Sequence, residues 1–326
     1  MEDDTKNQTI TTKNFLSISI LASALILSGA WVYTARLRTA KTSNEVPAGS
    51  SSETSKASVV SSKQTSQISL EEKILPSKGV VLPIKWGDLG VKMISVGVID
   101  KTKLEAIYAA RGGLTEAEKK LLEDGNVDKI KITKSNSGLL LNLFWALGLG
   151  TKNDILDRGP MMTYSGAGLP AEALAKAGNF ASTGGWTLAV GGAMEHYSRH
   201  PFIILTPEQQ KLVEVVSKNI YRPCCGNSTY FPDCNHGMAM LGLLELMASQ
   251  GVSEKEMYKT ALQVNSYWFP DTYLTIGKYL ESKGIALASV DPKEILGADY
   301  SSASGYRQIQ SLITEPIQRG GGGCGI

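Results

Sequence analysis

The sequence has few of the motifs by which common enzymes are recognised. It contains no GxxxxGK[ST] phosphate loop, no G-x-S-x-G elbow, no HExxH helix and no C-x-x-C-H haem site. The glycine-rich stretch STGGWTLAVGG at residues 182–192 lacks the preceding strand, following helix and downstream acid of a dinucleotide fingerprint. Phosphoryl transfer and hydride transfer therefore have no motif to carry them. Excess charge of one sign is also absent: 33 Lys and Arg stand against 31 Asp and Glu, for a net charge of +2. No basic run interleaves with aromatic residues, so no nucleic acid partner is expected. Soft-ligand chemistry is scarce, with 4 cysteines and 3 histidines, but it is concentrated. Cys224, Cys225 and Cys234 lie in one stretch that ends at His236, and Cys324 follows four glycines near the C-terminus.

What is present at the N-terminus concerns location. Residues 15–33, FLSISILASALILSGAWVY, form an uncharged apolar run close to the roughly 20 residues a helix needs to cross a bilayer. Ser28-Gly-Ala30 is a passable signal cleavage site, but the apolar run continues past it, which favours an uncleaved anchor over residues 14–35. Lys6 and Lys13 precede the run and Arg36, Arg38 and Lys41 follow it, so charge alone slightly favours a cytoplasmic body. The Ser/Thr-rich stretch at 36–72 has almost no large apolar residue and reads as a disordered tether of the kind that carries exported domains. On that ground the body is expected outside the cytoplasm, at the cell surface or in the periplasm.

The body, residues 73–319, is expected to be mainly α: an irregular helical domain with long structured loops and few short strands. Asp100 precedes KTKLEAIYAAR, Thr115-Glu-Ala-Glu118 is a capping box, and Thr206-Pro207-Glu208-Gln209 joins an N-cap to a proline at the first helical position. Ser253 caps a helix running toward Tyr267, and Asp271 is placed at the start of another that Gly284 stops. Strands are expected at KIKIT (129–133) and FIIL (202–205). The apolar segment SGLLLNLFWALGLG, 137–150, is too short for a span and reads as a buried core helix.

The cysteine and histidine segment lies between a helix over 209–221, broken by Arg222-Pro223, and an apolar helix over 237–250. Cys234 and His236 thus stand at a helix mouth, where unpaired N–H groups and the helix dipole stabilise a thiolate. Three readings stay open. Cys224, Cys225, Cys234 and His236, with Cys324, could bind a soft metal, with copper slightly ahead of zinc. Cys234 with His236 could serve a thiol-redox enzyme. Alternatively, two disulfides could staple a non-catalytic surface protein, with Cys224 and Cys225 taking Cys234 and Cys324 as separate partners. Adjacent cysteines lie about 3.8 Å apart at Cα, below the usual disulfide range of about 4.4 Å and up, so they are not expected to pair with each other. Because four glycines make its tail costly to order, Cys324 is expected to reach the cluster through a metal or disulfide bond.

His196 and His200 have the i, i+4 spacing that puts two imidazoles on one helical face and are possible additional metal ligands. Pro201 leaves barely two turns for that helix. Met161, Met162, Met194, Met238, Met240 and Met247 offer thioethers that suit copper(I), although core filling accounts for most of them.

Cys224-Cys225-Gly226, then Asp233-Cys234, His236-Gly237, a helix and GVSEKEMYKTALQ, resemble the exported PCYCGC-motif family over about fifty residues. The C-x-C-G-C core of that family is reduced here to Cys-Cys-Gly, and no lipoprotein cysteine follows the apolar run. The resemblance implies an extracytoplasmic protein of metal-binding type. The combined expectation is a membrane-anchored metal-binding protein acting as carrier, sensor or redox module.

Overall fold

The computed structural model describes residues 70–164 and 170–313. These fall in the unit Ser61–Ile326, while the unit Met1–Val60 lies outside the described residues. The anchor at 14–35, most of the tether and the tail carrying Cys324 lie outside them too. Among the described residues no helix is long and apolar enough to cross a membrane.

Local sequence signals set most helix starts. The described chain runs through strand β1 (Val80–Val81), helices α1 (Leu89–Ser95), α2 (Lys101–Ala109) and α3 (Glu116–Glu123), strand β2 (Lys131–Ile132) and helix α4 (Ser137–Gly150). Short helices α5 (Asp154–Arg158), α6 (Pro160–Thr163) and α7 (Pro170–Ala177) lead to α8 (Pro207–Lys218), α9 (Asn235–Ser249), α10 (Glu254–Trp268) and α11 (Pro270–Ser282). Helices α12 (Pro292–Leu296), α13 (Ala298–Ser301) and α14 (Ala303–Ser311) close the described part. The Asp100 carboxylate accepts from Lys103 N–H at 3.2 Å to open α2. Reciprocal capping boxes open α3 (Thr115 with Glu118) and α8 (Thr206 with Gln209). The Ser253 hydroxyl caps α10 through Glu256 N–H at 3.4 Å. Helix α11 begins one residue before Asp271, with Pro270 in its first turn, where a missing N–H costs nothing.

The strand expectations need correction. Only Lys131–Ile132 of the KIKIT stretch is strand, paired antiparallel with Val80–Val81 in the register Val80↔Ile132 and Val81↔Lys131. Residues 202–205 are not a strand, because no neighbouring strand supplies a ladder; Ile203, Ile204 and Leu205 line a surface cleft instead. Ile203 is buried and Ile204 is 81% exposed there.

Helices α4 and α9 are apolar on nearly every face and form the centre of the core. The segment 137–150 is therefore a buried core helix, as its length implied. Met161, Met238, Met240 and Met247 are buried within the same core, where a flexible thioether fills irregular space. The two central helices approach so closely that a Cβ on Gly148 would lie 2.1 Å from Met238 O, and one on Gly242 would lie 2.6 Å from Phe144 O. Backbone cannot yield as a flexible side chain can. Gly242→Ala is accordingly expected to lower stability by about 1–3 kcal/mol through overpacking, read as a drop in the urea midpoint. An unchanged midpoint would show that α4 and α9 separate without cost. This crossing fixes α9 along its length, and so fixes where its N-terminus presents Cys234 and His236.

Candidate metal centre

The loop from 219 to 234 joins α8 to α9 and is folded by its own backbone and by its neighbours. Tyr221 N–H donates to Leu296 O, Thr229 N–H to Ile220 O, and Tyr230 N–H to Ser217 O, at 2.8, 2.8 and 3.1 Å. From outside the loop, Ser182 N–H donates to Asp233 O at 3.1 Å and Ala303 N–H donates to Cys225 O at 2.9 Å. Three separate parts of the chain therefore hold this loop in one shape.

Arg222 stands at the loop's centre and is 1% exposed. Its Nη1 donates to Asn227 O at 3.0 Å, and its Nη2 donates to Phe231 O at 3.0 Å and to Asp233 Oδ1 at 2.6 Å. Its Nε donates to Cys234 Sγ at 2.9 Å. The planar guanidinium suits this task because its donors point in fixed directions. Asn227 Nδ2 donates to the other Asp233 oxygen at 2.7 Å, which completes the frame. Gly237 makes room for it, since a Cβ there would lie 2.5 Å from Arg222 Cζ.

Cys234 is the N-cap of α9, and its sulfur also accepts from Gly237 N–H at 3.4 Å. The helix begins two residues earlier than the pattern suggested, so His236 lies in its first turn rather than before it. The His236 ring is buried, with its centroid 4.3 Å from that of Phe269 and 5.8 Å from that of Trp268. Cys224 Sγ lies 3.6 Å from Cys234 Sγ. Cys225 Sγ points toward Asp233 Oδ1 and Asn227 O, each at 3.8 Å.

This geometry separates the thiols electrostatically. Hydrogen bonds from Cys224 and Cys225 lead in pulling the Cys234 pKa well below the ordinary thiol value, and the Arg222 charge and a His236 hydrogen bond add to them against the cost of burial. For Cys225, a hydrogen bond with Cys224 favours the thiolate. Its hydrogen bond to Cys234, burial and the Cys234 charge outweigh that effect and push it up to about 11. Burial lowers the Arg222 pKa, but the neighbouring Cys234 and Asp233 groups raise it more, so the guanidinium stays protonated. The Arg222 guanidinium thus favours negative charge on Cys234 over Cys225.

Two donor sets emerge: Cys224, Cys234 and His236, and Cys225, Asp233 and Cys234, each with ligand atoms all within 4.8 Å of one another. Tetrahedral zinc with thiolates at about 2.3 Å holds two sulfurs roughly 3.8 Å apart, close to the 3.6 Å between Cys224 and Cys234. These residues are therefore close enough together to hold a metal ion.

Of the sequence-predicted site residues, Cys224, Cys225, Cys234 and His236 come together. Cys324 lies outside the described residues. No disulfide joins the described cysteines, so the stapled pairing is not the state seen here. His196 and His200 also meet, with His196 Nδ1 3.1 Å from His200 Nε2, but not on a helix. A 3-10 turn at Ala193–Glu195 and a left-handed Ser198 (φ 52°) bring them together, because Pro201 ends any helix there. His196 Nε2 is engaged with Val190 O at 2.9 Å, and among the described residues no third Cys, His, Asp or Glu completes a donor set with the pair.

Arg222, Asp233, Asn227 and Gly237 were not singled out as site residues from the sequence. Arg222 read only as part of a helix break. The available signal was a charged residue held among cysteines in a loop that leads into a largely apolar helix, where an unpaired cation would be costly.

Comparison of the chain with family models, curated proteins and solved structures finds no match.

Proposed function

We propose that this protein binds a soft metal ion, copper(I) or zinc, through Cys224, Cys234 and His236, with Cys225 as an additional thiolate. The observation that carries this reading is the convergence of two sulfurs and an imidazole within 4.8 Å on a loop that Arg222 holds in place. The donor set is chemically soft, and one of its sulfurs is already favoured as thiolate. Three donors suit copper(I); a fourth, from Cys225 or from Cys324, suits zinc. The Arg222–Asp233 pair is neutral as a unit, so two thiolates, one imidazole and a divalent ion leave the buried site without net charge.

The same reading places the domain outside the membrane on an N-terminal anchor, as a carrier, sensor or redox module. Its supports are the apolar run, the Ser/Thr-rich tether and the local PCYCGC-motif resemblance. Protease added to intact cells is expected to release a soluble fragment that begins within the tether. Protection of the tether, with normal digestion after lysis, would reverse that orientation.

Elemental analysis of full-length protein purified without a histidine tag is expected to find a single soft ion per chain. Cys234→Ala and His236→Ala should each lower that stoichiometry while most helical signal remains. Metal that survives both substitutions would place the site elsewhere.

A further inference from the structure

Cys224 and Cys234 differ in access as well as in electrostatic setting. Cys234 is 6% exposed, whereas Cys224 and Cys225 are half-buried. The 3.6 Å between the Cys224 and Cys234 sulfurs would have to close by only about 1.5 Å to reach a disulfide bond length. Cys225 is a poor partner for Cys224 because adjacent Cα atoms lie too close for an unstrained disulfide, and its sulfur is turned toward Asp233 and Asn227. Arg222 Nε and Gly237 N–H both aim at Cys234 Sγ, at 2.9 and 3.4 Å, so negative charge on that sulfur meets donors already in place.

We propose that Cys224 and Cys234 form an exchangeable dithiol that reacts with low-molecular-weight disulfides of the glutathione class, Cys224 as the entry sulfur and Cys234 as the resolving one. Cys224 releases its proton to solvent and attacks the disulfide RSSR as a thiolate. A Cys224–SR mixed disulfide forms and RS⁻ leaves. That thiolate takes a proton from solvent and departs as RSH. The Cys234 thiolate, held by Arg222, then attacks the Cys224 sulfur and expels the second RS⁻. One Cys224–Cys234 disulfide, one RSH and one RS⁻ result: the protein loses two electrons and the small disulfide gains them. These are the sulfurs of the proposed metal site, but the exchange requires no metal.

The test uses the full-length chain, reduced and stripped of metal by a chelator, then mixed with oxidised glutathione, quenched by alkylation and mapped by mass spectrometry. Cleavage before Asp233 puts Cys234 on a peptide separate from Cys224 and Cys225. The expected product links Cys224 to Cys234 and leaves Cys225 alkylated. In Cys234→Ser a glutathione adduct should accumulate on Cys224 and persist. In Cys224→Ser the rate of adduct formation at Cys234 should fall on the order of tenfold or more, as expected when its buried sulfur must meet the disulfide directly. A main product that pairs Cys225 or Cys324 with Cys234, or an adduct held mainly on Cys225 in Cys234→Ser, overturns the assignment. So does a folded wild-type protein that reacts no faster than Cys224→Ser. Metal stoichiometry on the reduced wild-type chain is read separately, so loss of the metal reading and loss of the exchange reading give different results.

Discussion

Arg222→Met is expected to lower stability by about 3–5 kcal/mol, the usual cost of removing one partner from a buried ion pair, and to abolish metal retention. Methionine has about the same reach but no charge and no donors. Without the guanidinium, the Asp233 carboxylate keeps only Asn227 and the weak Cys225 thiol donor, the Phe231 carbonyl loses its Arg222 donor, and Cys234 loses its neighbouring cation. The Cys234 pKa should then rise, since removing the Arg222 charge leaves the burial penalty less opposed. Arg222→Lys separates charge from geometry: it keeps a cation but cannot reach four acceptors in one plane. It should recover part of the stability and little of the metal binding. Urea denaturation and elemental analysis of the two variants provide the check. A Met variant within 1 kcal/mol of the wild type would mean that the loop does not depend on its central cation.

The second large effect is of opposite sign. Glu245 lies on the third turn of α9, is fully buried, and neither of its carboxylate oxygens has a hydrogen-bond partner among the described residues. Burial raises its pKa well above the ordinary carboxylate value. The folded state therefore holds this proton to higher pH than the unfolded chain, whose glutamate ionises near about 4.3. Below that value both states are protonated and the group adds no pH dependence. As pH rises above it, only the unfolded state ionises at first, so stability falls until the folded-state pKa is passed. Glu245→Gln should match the wild type near pH 4 and become progressively more stable than it toward pH 8. Glu245→Leu should gain about 1–3 kcal/mol even at low pH by removing an unsatisfied polar group, and more at pH 8. Denaturation midpoints taken across pH 4–8 for all three proteins measure this. Parallel curves for wild type and Gln would show that the carboxyl finds compensation on ionising.

A buried carboxyl without a partner and a buried arginine with four acceptors sit in or beside one apolar helix, yet they stand differently in the sequence. GMAMLGLLELMASQ reads as apolar almost all round, which correctly predicts a core helix but does not reveal whether its single glutamate finds a donor. Any donor would have to come from the helices packed against α9, such as α4, α8 and α10. Arg222 in turn is neutralised by Asp233 and Cys234, which are eleven and twelve residues away. Their approach depends on how the loop closes over Ser217, Ile220 and Leu296.

The sequence by itself determined the features that rest on contacts within about one helical turn. Asp100, Thr115, Thr206 and Ser253 cap helices because the side-chain oxygen and the N–H it meets are three residues apart. For the same reason the amino-acid order places Cys234 at a helix mouth. Length and apolar content sufficed to place 137–150 in the core. Tertiary structure alone decided the rest. A strand exists only where a partner lies alongside, so Lys131–Ile132 pairs with Val80–Val81 while the more apolar 202–205 stays irregular. His196 and His200 meet through a left-handed turn that the i, i+4 spacing does not encode. Which sulfur faces Arg222, and which faces Cys224, was set by a loop held by Ser182, Leu296 and Ala303. Contacts across such separations carry no short-range signature, because the chain between them can take many paths until the core excludes all but one.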